Sequence, residues 1–486
     1  MRNVRSQFIG LFIFLAALTL LLTNGFWAHI HAEQEKDLFR QIEPLGGVLA
    51  EIMKHYVESP DVDKVVEGGI NGMMNSLDDH SSYVPPRFYQ ELKEDTEGRF
   101  DGIGIQIKLN DDKNIVVFTP IPGSPAAKSG ILPGDIIVEI DGKSTKEMNI
   151  DAAKDHIRGE GGTVVTLRVF RPGKAEGEEG KFLDIGVTRG QVQTPSLMES
   201  RVLKDGVGYV RVSDFKQTTA RDLAEKIKEL EPLGMQSLIL DLRWNPGGLL
   251  SASEEVASLF LKKNMLVTYT RGRPNADGTV QEDITLYTDR EPVLPQNFPI
   301  VLLVNEMTAS SSEIVTGALQ YHKRALIIGA KTFGKGSVQT IIPLPSPRNS
   351  ALRLTTAYYY TPAEVTINKH GILPDIDAPF PQEKWEDLLK QMMGSWESDA
   401  TKMDQQNHGS VTGDAVTDLT VEDVQLQRAV EILSEDQAWE GILAKYHKDT
   451  KITQVAAIEP TGENKDASSL IAAEEASVAP ATEATP

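Results

Sequence analysis

Three consecutive serines and a glutamate, followed by an apolar helical pattern, make "NEMTASSSEIVTGAL" (residues 305–319) the first place in this chain to look for chemistry. Two readings compete there. Ser310 and Glu313 fit the S-x-x-E capping box, in which each side chain satisfies an orphan backbone N–H of the other residue. Alternatively, one of the hydroxyls is a nucleophile, which then needs a base. "KTFGKGSVQT" (331–340) offers Lys335 between two glycines that give its backbone unusual freedom, although a lysine in a glycine loop is usually solvated. "DLRWNPGGLL" (241–250) lies where a strand gives way to a helix, so the N–H groups of Gly247, Gly248 and Leu249 are available to an oxyanion, or simply form a tight turn.

Charge placement bears on the lysine. No Asp or Glu occurs between Glu313 and Glu364, although the chain as a whole carries a formal charge of −21. A lysine acting as general base must lose its proton near neutral pH, well below its usual value of about 10.4. Desolvation and the lack of a carboxylate partner both favour that, provided no distant carboxylate folds close. A histidine-based hydrolase fits poorly. There is no G-x-S-x-G elbow, and His322, the histidine near the serines, sits at the far end of the helix that Ser310 begins, about 16 Å away.

The surrounding elements must bring these pieces together. A chain of 486 residues is long enough for two to four domains, and with no cysteine it has neither disulfides, thiolate metal sites nor a thiol nucleophile. The acidic balance argues against nucleic acid or anionic lipid as the main partner. Arg2 and Arg5 precede the apolar run "FIGLFIFLAALTLLL", the pattern of an export signal or retained anchor over residues 1–32. Residues 33–95 read as a helical segment and 96–187 as short β runs punctuated by Gly, Pro and Asp. From 188 to 380 strands and helices alternate, as in a parallel or mixed α/β layer. Helical pieces fill 381–450, and the Ala-, Glu- and Thr-rich residues 451–486 lack apolar periodicity.

Within the β-rich module, "FDGIGIQI" (100–107) places glycines before an alternating strand, where converging N–H groups could nest a carboxylate. "PGSPAAKSGILPGDIIVEIDGK" (122–143) then makes the module resemble a PDZ domain closely. The resemblance implies a peptide-binding groove, with Gly102, Ile103, Gly104 and Ile105 forming the loop that faces a C-terminal carboxylate.

Taken together, "TASSSEI", "KTFGKGSVQ", "DLRWNPGGLL", "SLDDHSSYV" and the PDZ-like module resemble the carboxyl-terminal processing peptidases, S41-family serine peptidases, over about residues 40–380. The resemblance implies an α/β protease core of crotonase/ClpP-like fold with an inserted β-rich PDZ domain and helical N- and C-terminal arms. It implies an exported endopeptidase cutting at or near substrate C-termini, with Ser310 as nucleophile, Lys335 as base, Gln339 orienting the lysine, and the N–H groups of Gly248 and Ser311 as oxyanion hole. The implied location is periplasmic or otherwise extracytoplasmic. The implied partners are proteins or peptides with accessible C-termini, with a homodimer through the arms and an adaptor as further expectations. No metal, nucleotide or other cofactor is implied. Two departures stand out: Ser311 replaces the usual alanine and adds a second hydroxyl, and Glu364 replaces a usual glycine. A catalytically inert PDZ scaffold and an α/β esterase dependent on His322 remain the competing readings.

Overall fold

The structure is a computed structural model. It describes residues 40–447 except 111, 122, 174–178, 275–282, 348, 386, 389–390 and 392–421. The apolar N-terminal run and the Ala-rich tail therefore lie outside the described residues. The chain divides into two compact units, residues up to Tyr83 and residues from Val84 onward.

In the first unit, a helix spans 40–55 and a second runs Val62–Asn75, with Asp61 capping it by accepting the Lys64 N–H. Both helices expose apolar side chains, among them Leu45, Val48, Met53 and Val66. In the "SLDDHSSYV" stretch, the Asp78 carboxylate accepts the N–H groups of His80 and Ser81, the local turn that short acidic side chains favour.

The second unit begins with helix α1 (Pro86–Glu97), followed by the β-rich module. Strands β1 (Arg99–Gly102) and β7 (Gly190–Gln193) pair antiparallel and form its neck. Between them, β2 (Ile105–Leu109), β3 (Ile115–Pro120), β4 (Ile136–Ile140), β5 (Val164–Arg171) and β6 (Lys181–Thr188) form one antiparallel sheet in that order. Alternation places Val165, Leu167 and Val169 inward, against Ile103, Ile131, Ile137 and Ile140. Strand β2 is the sheet's edge, and helix α2 (Ile150–Ile157), capped by Asn149, packs beside it.

The α/β core comes next in the chain. Its main sheet runs β8 (Leu197–Val202), β9 (Val207–Val212), β10 (Ser237–Asp241), β13 (Ile300–Val304), β14 (Leu326–Gly329) and β17 (Ile376–Asp377), parallel except for β8. Every residue of β10, β13 and β14 is buried, as a two-sided parallel sheet requires. The period of two splits them cleanly. Leu238, Leu240, Ile300, Leu302 and Ile327 face one cluster, beneath helices α3 (Thr219–Leu230), α4 (Leu250–Ser258) and α5 (Ser311–Tyr321). Ile239, Val301, Leu303, Leu326 and Ile328 face the other side, where the C-terminal helices α6 (Val424–Leu433) and α7 (Trp439–Tyr446) contribute Ala429, Ile432, Trp439, Ile442 and Leu443. The C-terminal arm is thus the third layer of this core.

A second antiparallel sheet, β15 (Ser337–Leu344), β16 (Ser350–Tyr360), β11 (Leu266–Gly272) and β12 (Thr285–Tyr287), carries the segment after Lys335. Ile432→Ala should destabilise the core by about 2–5 kcal/mol through lost burial and a residual cavity, read as a shift of the urea midpoint. A shift below about 0.5 kcal/mol would mean that α6 does not fold with the sheet.

Candidate active site

Helix α5 starts at Ser311, and Ser310 before it adopts φ 57° and ψ −120°, a conformation outside the regions open to a residue with a side chain. Such strain persists only where neighbours over-determine it. Here the Ser310 N–H donates to Glu313 Oε2 at 2.9 Å, which is the capping-box contact expected from sequence, and the Glu313 N–H meets the Ser310 carbonyl at 2.8 Å. On the other side lies Gly247, where an added Cβ would stand 2.7 Å from the Ser310 Cβ and 2.8 Å from the Ser311 nitrogen.

The three serines separate by what their hydroxyls do. Ser311 Oγ donates to the Gly248 and Leu249 carbonyls at 3.0 and 3.1 Å, and buried Ser312 donates to the Asn245 carbonyl at 3.2 Å. Ser310 is half-buried, and its hydroxyl lies against that of Tyr359. The extra hydroxyl at Ser311 is therefore engaged in holding the glycine turn to the helix start.

Glu313 does more than cap. Fully buried, its carboxylate also accepts the Thr332 hydroxyl at 2.5 Å, the Gly334 N–H at 2.7 Å and the Lys335 N–H at 2.9 Å. One carboxylate thereby joins the serine turn to the lysine loop. Burial pushes its pKa up, against four hydrogen bonds that pull it down. The carboxylate-free interval after Glu313 thus does not isolate Lys335 from negative charge, because the glutamate at the interval's edge folds onto the lysine's own backbone.

The loop expectation also changes. Thr332–Gly336 is pinned: Phe333 donates its N–H to the Thr308 carbonyl, Lys369 donates to Gly334, and Tyr359 donates its N–H to Gly336 and its hydroxyl to the Lys335 carbonyl. The glycines serve close approach, since a Cβ on Gly336 would fall 2.4 Å from the Asn368 nitrogen. Lys335 is half-buried, and its pKa is lowered first by burial and then by the Arg353 charge, with Glu313 opposing. Gln339 sits at a register shift of β15, and its Nε2 donates to Ser337 Oγ at 2.8 Å and Thr355 Oγ1 at 3.4 Å. A bulge of this kind re-aims a side chain beside a site.

Of the three N–H groups expected at the glycine turn, two are spent. Gly247 donates to Asn245 Oδ1 at 2.9 Å and Leu249 to the Phe215 carbonyl at 2.8 Å. The Gly248 N–H remains, on a residue with φ 152° whose Cβ would strike the Phe215 carbonyl. The Ser311 N–H, first of helix α5, has no intrahelical acceptor. His322 closes that unbroken helix and points Nε2 at the Leu266 carbonyl, 2.7 Å away, so it takes no part in this cluster.

Comparison with known proteins gives the family. Residues 206–378 match the model of peptidase family S41, and residues 116–171 match a PDZ domain. A carboxy-terminal-processing protease of Bartonella bacilliformis is 39% identical over 377 residues, covering 76% of this chain and 82% of that one. The chain belongs to the S41 peptidases, serine-type carboxy-terminal processing proteases. Carboxy-terminal processing protease CtpA of Bacillus subtilis is 34% identical over 370 residues, 75% of each chain. The carboxyl-terminal-processing protease of Picosynechococcus is 33% identical over 76% of this chain and 79% of its own. Among solved structures, a photosystem II D1 C-terminal processing protease matches at 28% identity over 68% of this chain and 91% of its own, with a TM-score of 0.37.

In the peptidase's PDZ module, peptide geometry sorts the donors of the glycine loop. The Ile103 carbonyl accepts the Ala126 N–H at 2.8 Å, and the Gly104 carbonyl accepts Ile121 N–H and Ser124 Oγ. In a trans peptide the N–H points opposite to its carbonyl, so the N–H groups of Gly104 and Ile105 turn away from those inward contacts. Gly102 ends β1 opposite Gly190, within the neck ladder. Gly104 itself has φ 76° and stands so close to Ser124 that a Cβ would lie 2.5 Å from its Cβ.

Sequence reasoning did not find Thr332, Asn245 or Tyr359, nor the bridging role of Glu313. Only Asn245 carried a signal, as the polar residue opening an N-P-G-G turn. Glu364 takes φ 65° and is exposed at the tip of a turn from Thr361 to Val365 whose other residues are buried. Gly247→Ala should lower kcat at least about 100-fold by displacing Ser310 and the Ser311 N–H, which a Cβ there would strike, measured by peptide cleavage alongside the melting temperature. Cleavage within threefold of the parent would show that the close approach is not needed.

Proposed function

We propose that Ser310 is the nucleophile and Lys335 the general base of a peptide-bond hydrolysis at or near substrate C-termini. The observation that carries this is the shared carboxylate: Glu313 ties a strained, half-buried serine to a half-buried lysine whose charged form is disfavoured by burial. Neutral Lys335 Nζ takes the Ser310 proton as Oγ bonds to the scissile carbonyl carbon. The resulting oxyanion lies between the N–H groups of Gly248 and Ser311, donors that cost no reorganisation at that moment. The Lys335 ammonium returns the proton to the leaving amine, and water then releases the acyl group by the same route. Gln339, its Nε2 committed to hydroxyls, would present Oε1 to the ammonium.

Each group supplies a test. Ser310→Ala and Lys335→Ala should each reduce cleavage of an unstructured peptide at least about 1,000-fold, with folding intact by circular dichroism. In the parent, kcat/KM and the labelling of Ser310 by a serine-directed reagent should rise together with pH, with a midpoint below the ordinary lysine value of about 10.5. The sign comes from the base: activity needs neutral lysine, and burial favours that form. Normal cleavage by both alanine variants would overturn the dyad assignment, and a parent that cleaves no such substrate would return the reading to an inert PDZ scaffold.

For substrate selection, the proposed reader is the edge strand β2 with the loop Ile103–Ile105, to which a peptide adds as a further strand with its carboxylate at the turned-out N–H groups of Gly104 and Ile105. The basic and apolar N-terminus from Arg2 supports export, which places these substrates outside the cytoplasm. Amidating the C-terminus of a peptide substrate should raise KM about tenfold or more by removing the charged partner, and equal KM values for acid and amide would remove the PDZ loop from recognition.

A further inference from the structure

Outside the reacting groups, a dense polar cluster is built on Arg243, a side chain with no solvent access two residues beyond strand β10. All five of its N–H donors are engaged. Nε donates to Asp241 at 3.0 Å, Nη2 to Asp241 at 2.7 Å and Asp423 at 2.8 Å, and Nη1 to Asp423 at 2.8 Å and Gln425 at 3.1 Å. Tyr209 donates its hydroxyl to the same Asp241 at 2.7 Å. Asp423 and Gln425 belong to the C-terminal arm, and Asp423 is also the N-cap of α6, accepting the Leu426 N–H at 3.0 Å.

Immediately after Arg243 the chain enters the glycine turn. Trp244 has φ 56°, which a tryptophan does not adopt unaided. It is held by its N–H to Asn305 Oδ1 at 3.0 Å and by an edge-on ring contact with Trp385, centroids 6.4 Å apart. Asn245 then accepts the Gly247 N–H on its side chain and the N–H of Ala309, beside the nucleophile, on its carbonyl. A fixed series of contacts thus runs from Asp423 through Arg243, Trp244 and Asn245 to both halves of the site.

We propose that the C-terminal arm is a positioning element for the oxyanion donors: Asp423 on Arg243 and Trp385 on Trp244 hold the strained turn that aims the Gly248 N–H. This rests on the assignment of Gly248 as an oxyanion donor. Both contacts come from residues beyond the 206–378 span that matches the peptidase family model. Losing the Asp423 or Trp385 contact, with the rest of the arm in place, would free Trp244 to relax to negative φ, and the Gly248 donor would move with it.

Asp423→Asn is the discriminating variant, because asparagine still caps a helix while the charge that Arg243 requires is gone. Ile432→Ala serves as control: it loosens the same arm without touching Arg243. Two measurements are made on the full-length protein, steady-state cleavage of a peptide substrate and amide hydrogen exchange of residues 243–249. Asp423→Asn should lower kcat about tenfold or more with KM within about twofold, and should speed exchange in that segment, whereas Ile432→Ala leaves both near parental values. Should Asp423→Asn not fold, Trp385→Leu is expected to move both readouts in the same direction. Parental kcat and parental protection in Asp423→Asn or in Trp385→Leu, or equal losses in Ile432→Ala, would overturn the proposal. If the parent neither cleaves nor is labelled at Ser310, the assignment of Gly248 falls, and the exchange data alone decide whether the arm holds the turn.

Discussion

A buried carboxylate with four donors is the constraint on which the rest of this active site depends. Glu313 takes the Ser310 N–H, the Thr332 hydroxyl and the N–H groups of Gly334 and Lys335. Placing a carboxylate in a fully buried position is expensive unless its oxygens are paired, and these four bonds are the compensation. They also fix the distance between two segments that are 25 residues apart in sequence. The serine turn can keep its strained φ, and the lysine loop its close packing, because each is held through the same two oxygens.

The charge at Lys335 is a consequence of this arrangement. Glu313 lies near enough to favour the ammonium, yet its lone pairs are directed at backbone N–H groups, and burial together with Arg353 outweighs it. A carboxylate bonded directly to Nζ would have held the lysine charged. Spending it on the backbone lets one residue supply rigidity without holding Lys335 charged.

The scaffold imposes a second constraint. Strands β10 and β13 are buried on both faces, so the chain leaves the sheet at Asp241 and Val304 into turns packed against one another. Close approach there demands glycine: Gly247 lies against Ser310, Gly248 against the Phe215 carbonyl, and Gly329 against the Val304 carbonyl at 1.9 Å from a hypothetical Cβ. The stability of that region comes from the alternating core above and below the sheet. The C-terminal arm closes one of those faces and at the same time brings Asp423 to Arg243.

Sequence by itself determined the order of elements, because period-two and period-3.6 patterns are local: the helix expected between Ser310 and His322 is observed as Ser311–Tyr321, and the alternation of strand and helix over 188–380 gives the mixed sheet. It also determined the residue types of the site, since the serine run, the lysine between glycines and the N-P-G-G turn are legible as strings. Tertiary structure alone decided which of those groups meet. That Ser311 and Ser312 spend their hydroxyls on carbonyls 60 or more residues away, that only one of three expected N–H groups at the glycine turn is left over, that Glu313 reaches Lys335, and that Asp423 holds Arg243 are all contacts between distant segments. The physical reason is that periodicity and capping arise from neighbours along the chain, whereas burial, strain and the satisfaction of buried polar groups are settled only when separate segments pack together.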